Sequence, residues 1–133
     1  MIISCVNTDE NNLSATTFEE IIPPSELNIG TELIDKIALG SNEFTIKDTF
    51  CYSLLYNKTF NAATITMRFY KKDLINGGHQ ILLSKDVAMS PNSTALYQKL
   101  PAENMIHEFG VGVYELEFLL KDSFIAKQSF ILK

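Results

Sequence analysis

The chain has no tryptophan, one arginine (Arg68), two histidines and two cysteines among its 133 residues. Each shortage narrows the range of functions. Without an indole platform, and with no obvious pair of acids placed to cleave a glycosidic bond, a carbohydrate-binding or hydrolytic sandwich is the least supported of three readings. Eleven Lys and Arg stand against sixteen Asp and Glu, a net charge of -5, and Lys71-Lys72 is the only pair of adjacent cations. Phosphate contacts need clustered basic residues, so no nucleic-acid partner is expected. His79 and His107 have no second His, Cys or acid at the spacing that transition metals require, so neither a metal nor another cofactor is expected. No apolar run approaches the eighteen or so residues of a membrane-spanning helix. The first residues also lack the basic n-region and the apolar stretch of about 7–15 residues that make a complete export signal.

The two cysteines sit in contrasting surroundings, Cys5 in a polar stretch and Cys51 in an apolar one, so no bridge between them is expected. Cys51 reads as a small buried hydrophobe. Cys5 is open to two readings. Ile2-Ile3-Ser4 before it and Val6-Asn7-Thr8-Asp9-Glu10 after it resemble the end of a lipoprotein signal and the start of a polar spacer, with Cys5 the lipid-bearing residue and the sole route to a membrane. On the other reading Met1 is an ordinary start and Cys5 carries nothing.

What the chain does contain is enough apolar matter for one core: 46% hydrophobic and 20% charged residues in a length that suits a single domain. Residues 1–27 are polar and acidic and close with Pro23-Pro24, which reads as a tether, with at most a brief helical turn at Ser25-Glu26-Leu27. The folded domain is expected over residues 28–133. There the two-residue period of half-buried strands dominates. Phe50, Tyr52, Leu54 and Tyr56 share one face, with Cys51 and Ser53 on the other. Ile65, Met67 and Phe69 alternate with Thr64, Thr66 and Arg68. Tyr114, Leu116, Phe118 and Leu120 form the inner row of a hairpin turning at Lys121-Asp122-Ser123, opposite Phe124, Ala126, Phe130 and Leu132. Further segments at Leu33 to Leu39, Glu43 to Ile46, His79 to Ser84 and Thr94 to Leu100 bring the count to about seven or eight strands, the signature of a two-sheet antiparallel sandwich. One helical stretch fits, around Pro101 to Glu108.

Met67-Arg68-Phe69-Tyr70, Gly112-Val113-Tyr114-Glu115-Leu116-Glu117-Phe118 and the closing Gln128-Ser129-Phe130-Ile131-Leu132 together resemble the bacterial immunoglobulin-like sandwich modules of envelope and secreted proteins. The resemblance runs from about Thr31 to Lys133; it departs where Glu108-Phe109-Gly110-Val111 stands in place of a frequent Trp-Pro pair. It implies an immunoglobulin-like fold and an accessory or adhesive role, and carries over no functional residue. Independently of any family, Gly112 at the mouth of a strand and Tyr114 at a sandwich corner imply a buried ring whose hydroxyl reaches a backbone group.

Few side chains invite a reaction. On a strand, Ser84 and Lys85 point to opposite faces, which defeats a Ser-Lys dyad. Gly110-Val111-Gly112 is too short to cradle a phosphate, and the paired acids Asp9-Glu10 and Glu19-Glu20 lack a calcium-loop pattern. The candidate contact site is the loop holding Lys71, Lys72, Leu74 and Ile75, whose apolar pair either plugs the end of the sandwich or stands out beside charge as a docking point. The expectation is therefore a non-enzymatic, all-β, immunoglobulin-like binding or structural module with a protein partner, placed at a bacterial cell envelope or periplasm and anchored there if Cys5 is lipidated. The rival is a cytosolic all-β subunit of a larger assembly.

Overall fold

The computed structural model describes residues 25–73 and 75–133, in which the chain forms ten strands and one short helix. In chain order these are β1 (Ser25–Gly30), β2 (Glu32–Ile34), β3 (Ile37–Leu39), β4 (Glu43–Phe44), β5 (Thr49–Tyr56), β6 (Thr64–Lys72), β7 (His79–Ala88), β8 (Ala95–Pro101), α1 (Ala102–Phe109), β9 (Gly112–Leu120) and β10 (Ser123–Leu132). A five-stranded sheet in the order β4-β10-β9-β6-β7 faces a three-stranded sheet in the order β1-β5-β8, and β2 and β3 form a separate hairpin. Among the described residues every pairing is antiparallel except that of β4 with β10, where Glu43 and Phe44 run parallel to Ile131 and Leu132. The protein is thus an all-β two-sheet sandwich, as the periodicity predicts.

Alternation explains the core. Ile65, Met67 and Phe69 of β6 and Tyr114, Leu116, Phe118 and Leu120 of β9 are all buried, while Thr66, Arg68, Glu115 and Glu117 between them lie on the outer face. Across the gap, the Phe50 ring of β5 packs 4.8 Å from Phe130 and 5.0 Å from Phe44, and Tyr52 packs 5.3 Å from Phe118. Each such buried side chain stabilises the fold by about 1.5–3 kcal/mol. The helix α1 caps one end of the sandwich, burying Ala102 and Met105, and stops at Gly110, whose φ of 85° leaves the helical region while its N–H bonds to the Ile106 carbonyl.

Three expectations need correction. The stretch from Leu33 to Leu39 is not one strand: Asp35 and Lys36 take φ of 50° and 67°, making a tight turn that folds it into the β2–β3 hairpin. This hairpin covers the outer face of β5, and for that reason Cys51 and Ser53 are as buried as the core row, with the Ser53 hydroxyl accepting the Ala38 N–H at 2.8 Å. Phe124 does not join the inner row. A register shift after Phe118 sets Phe124 opposite Leu119 and leaves it 56% exposed, whereas Ala126, Phe130 and Leu132 are buried as expected. Finally, the expected division between residues 27 and 28 falls inside β1. Leu27 and Ile29 alternate onto the core face, and Ser25 already pairs with Tyr56 and donates its hydroxyl proton to the Ile125 carbonyl, so the folded body includes Ser25 to Leu27.

Candidate contact groove

The strand β6 ends at Tyr70-Lys71-Lys72, and the chain returns as β7 through the loop from Asp73 to Gly78. Asp73 organises that loop. Its N–H bonds to the Gly78 carbonyl and its carbonyl accepts the Gly77 N–H, both at 2.8 Å. Its carboxylate accepts the N–H groups of Ile75 and Asn76 and the Asn76 side-chain amide, each at 3.0 Å. Those donors, Asn76 foremost, hold the Asp73 carboxyl below its ordinary range. Gly77 closes the turn at φ 75°, where a side chain would be strained. At the crest, Ile75 is 92% exposed, so it does not plug the sandwich end; Leu74 lies outside the described residues.

Below the loop is an open groove of about 660 Å³, bordered by Lys71, Lys72, Asp73, Ile75, His79 and Val113 among others. Lys71 and Lys72, neighbours on a strand, reach it from opposite faces. The Lys72 amine lies 3.5 Å and His79 Nε2 3.4 Å from the two oxygens of Glu115 on β9. The Lys71 amine donates to the Phe109 carbonyl at 3.3 Å and sits 5.5 Å from the centroid of the Tyr114 ring. Glu115 is largely covered there, its side chain 13% exposed, while the Lys72 amine stays within reach of the groove at 31%. Lys71, Lys72 and Ile75, which the sequence marks as a candidate contact loop, all border this groove. The sequence does not foretell the meeting of His79 with Glu115, which depends on β7 and β9 flanking β6 and has no local signal.

Next to the groove, Tyr114 fulfils the expectation drawn from Gly112 and Tyr114. Its ring is buried against Phe130 at 5.5 Å, and its hydroxyl lies 2.8 Å from the Phe109 carbonyl and 2.6 Å from that of Gly110. Burial pushes its phenol up from the ordinary value.

The remaining sequence candidates are dispersed. Cys51 is a fully buried thiol, pushed up chiefly by that burial, and Cys5 lies outside the described residues. Ser84, Lys85 and Asp86 are exposed on β7, with Ser84 and Asp86 on the outer face receiving Arg68 and Thr66 at 3.3 Å and 3.0 Å. His107 is exposed on α1. Among the described residues no group of three or more His, Cys, Asp or Glu side chains is placed to hold a metal ion, and no helix is long and apolar enough to cross a membrane. A second opening, about 180 Å³, lies between β7 and β8, floored by Met67, Phe69, Leu83, Leu100 and Met105.

No protein-family model and no curated protein matches this chain. Among solved structures it is similar to a superoxide reductase (neelaredoxin) from Ignicoccus hospitalis, at 12% identity and a TM-score of 0.44 over 82% of this chain and 80% of that one. It is also similar to a beta-glucosidase from Listeria innocua, at 8% identity and a TM-score of 0.36 over 81% of this chain, which spans 16% of the glucosidase. The expectation of a chain with no enzymatic role is corrected here: the superoxide reductase it is similar to is an enzyme. The likeness assigns no reaction to this chain.

Proposed function

We propose that the chain is an immunoglobulin-like binding module of a bacterial cell envelope, which engages a protein partner through the groove at the β6–β7 end. The observation that carries the contact role is Ile75, 92% exposed in a turn where its N–H and that of Asn76 bond to the Asp73 carboxylate. A large apolar side chain beside Lys71 and Lys72 suits an extended partner segment that offers an apolar residue to Ile75 and a carboxylate to the lysines. The immunoglobulin-like reading is supported by the Tyr114 hydroxyl reaching back to the backbone four and five residues upstream at the start of β9, the arrangement called a tyrosine corner in such sandwiches. Envelope placement rests on Ile2-Ile3-Ser4-Cys5 and the acidic stretch after it, with a lipid on Cys5 as the anchor.

A photo-crosslinking residue at position 75, in protein made from its native gene, is expected to capture one defined partner, with capture falling sharply in Lys72→Glu. Capture unchanged by Lys72→Glu overturns the groove. Detergent partitioning that is lost in Cys5→Ser supports the anchor, and soluble native protein with Met1 or Ile2 intact rejects it in favour of a cytosolic subunit.

A further inference from the structure

We propose that Asn76 is a site of spontaneous covalent modification, its amide converted to a carboxylate by attack of the Gly77 backbone nitrogen, at a rate that Asp73 restrains. Of the ten asparagines in the chain, Asn76 alone precedes a glycine. Both residues are exposed, and an atom added at the Gly77 Cα would meet nothing within 4 Å, so no packed neighbour constrains the glycine once its hydrogen bond opens. The reaction needs no enzyme and only water as co-reactant. The Gly77 nitrogen loses its proton to solvent base and bonds to Asn76 Cγ. The Cγ–Nδ2 bond breaks, and the nitrogen takes up a proton and leaves as ammonia. Water then opens the resulting five-membered imide at either carbonyl, giving aspartate or isoaspartate.

The loop geometry opposes each half of the first step. The nucleophilic nitrogen is committed, its N–H bonded to the Asp73 carbonyl at 2.8 Å. The leaving amide donates to one carboxylate oxygen of Asp73 at 3.0 Å, and the Asn76 N–H donates to the other at 3.0 Å. Asp73 therefore holds Asn76 Nδ2 and Gly77 N in positions set by the turn, and reaction waits on the breaking of these bonds. Once formed, the new carboxylate at position 76 faces that of Asp73, and the attraction that closed the loop becomes repulsion. The groove beside Lys72 and His79 gains one negative charge, and the isoaspartate product also lengthens the backbone at the crest that carries Ile75. The inference depends on the loop alone, not on any partner of the groove.

The test is to hold the full chain at mildly alkaline pH and map its peptides over time by mass spectrometry, with enzymatic methylation of isoaspartate as a second readout. Asn92, which precedes Ser93, serves as an internal clock. Product is expected at Asn76 ahead of Asn92, severalfold faster in both Asp73→Ala and Asp73→Asn, and abolished in Gly77→Ala. Circular dichroism that matches the parent chain shows that the faster variants remain folded. An Asn76 still intact when Asn92 has converted overturns the proposal, and so does a rate that neither Asp73 substitution changes in folded protein.

Discussion

On the flank where β1 lies against β10, the two sheets are tied together by polar contacts to the backbone: Ser25 donates to the Ile125 carbonyl, and the Gln128 amide lies 3.5 Å from the Leu27 carbonyl. Leu27, Ile29, Ala126 and Phe130 fill the space behind them. On the opposite flank β7 and β8 each end a sheet, and between them the core is open as the slot over Met67, Phe69 and Leu83. Beside that slot Gln98 of β8 accepts the hydroxyl proton of Tyr52, its cross-strand neighbour on β5, at 2.9 Å. The sandwich is thus tied across its two sheets on one flank, and on the other its edge strands β7 and β8 are separated by a slot. The first buries apolar area and is costly to disturb; the second keeps Met67 and Phe69 buried but leaves Leu83 and Leu100 partly exposed.

The contrast can be broken by truncation. Phe130→Ala, at the aromatic centre of the closed flank, is expected to cost about 3–5 kcal/mol in denaturant unfolding, against about 1 kcal/mol for Leu83→Ala beside the slot, where the side chain is already partly exposed. Equal costs would erase the distinction. Next in size, Leu27→Ala is expected to lose about 2–4 kcal/mol, because β1 is an integral strand and not the last part of a tether. A chain beginning at Ser25 should keep the parent midpoint, and one beginning at Asn28 should not.

The open flank has its own signature in pH. Burial pushes the Tyr52 phenol up to about 12 from 10.0. The neutral form is the one the fold favours, so its contribution is complete below about pH 10 and is lost as pH rises toward about 12, on the order of 2–3 kcal/mol. Unfolding midpoints measured across that range, with phenolate absorbance read in parallel, check this; Tyr52→Phe should flatten the alkaline decline. The smallest effect belongs to the corner. Tyr114→Phe keeps the ring and removes the bonds to Phe109 and Gly110, for about 1 kcal/mol.

Much of the architecture was legible because alternation is a local signal. Ile65, Met67 and Phe69, or Tyr114, Leu116 and Phe118, each declare a buried face within a few residues, and α1 and the Tyr114 corner were visible in the same way. What escaped notice needs a view beyond the strand. Phe124 obeys the period but is displaced by a bulge that only the pairing with β9 defines. Asp35-Lys36 is a tight turn without the Asn or Gly that normally advertises one. Leu27 and Ile29 alternate plainly, yet the strand is short and follows two prolines, which drew the boundary too late. In the groove, the sequence names Lys71, Lys72 and Ile75 but leaves Ile75 between plugging the sandwich end and standing exposed, and the link from Lys72 and His79 to Glu115 exists only after three strands have aligned.

The parallel pairing of β4 with β10 bears on how the chain reaches this state. Glu43 and Phe44 find their sheet neighbours at Ile131 and Leu132, and Ser25 and Leu27 meet Ile125 and Gln128, contacts that span most of the described sequence. Such contacts exact their loop-closure entropy before returning any stabilisation. The local hairpins β6–β7 and β9–β10 can form early, but β4 has no sheet partner until β10 is in place. Refolding is therefore expected to be slow for a chain of this size, with the rate-limiting barrier set by capture of the early strands by β10. Phe44→Leu should then act mainly on the rate of unfolding or of folding according to whether that capture follows or precedes the barrier.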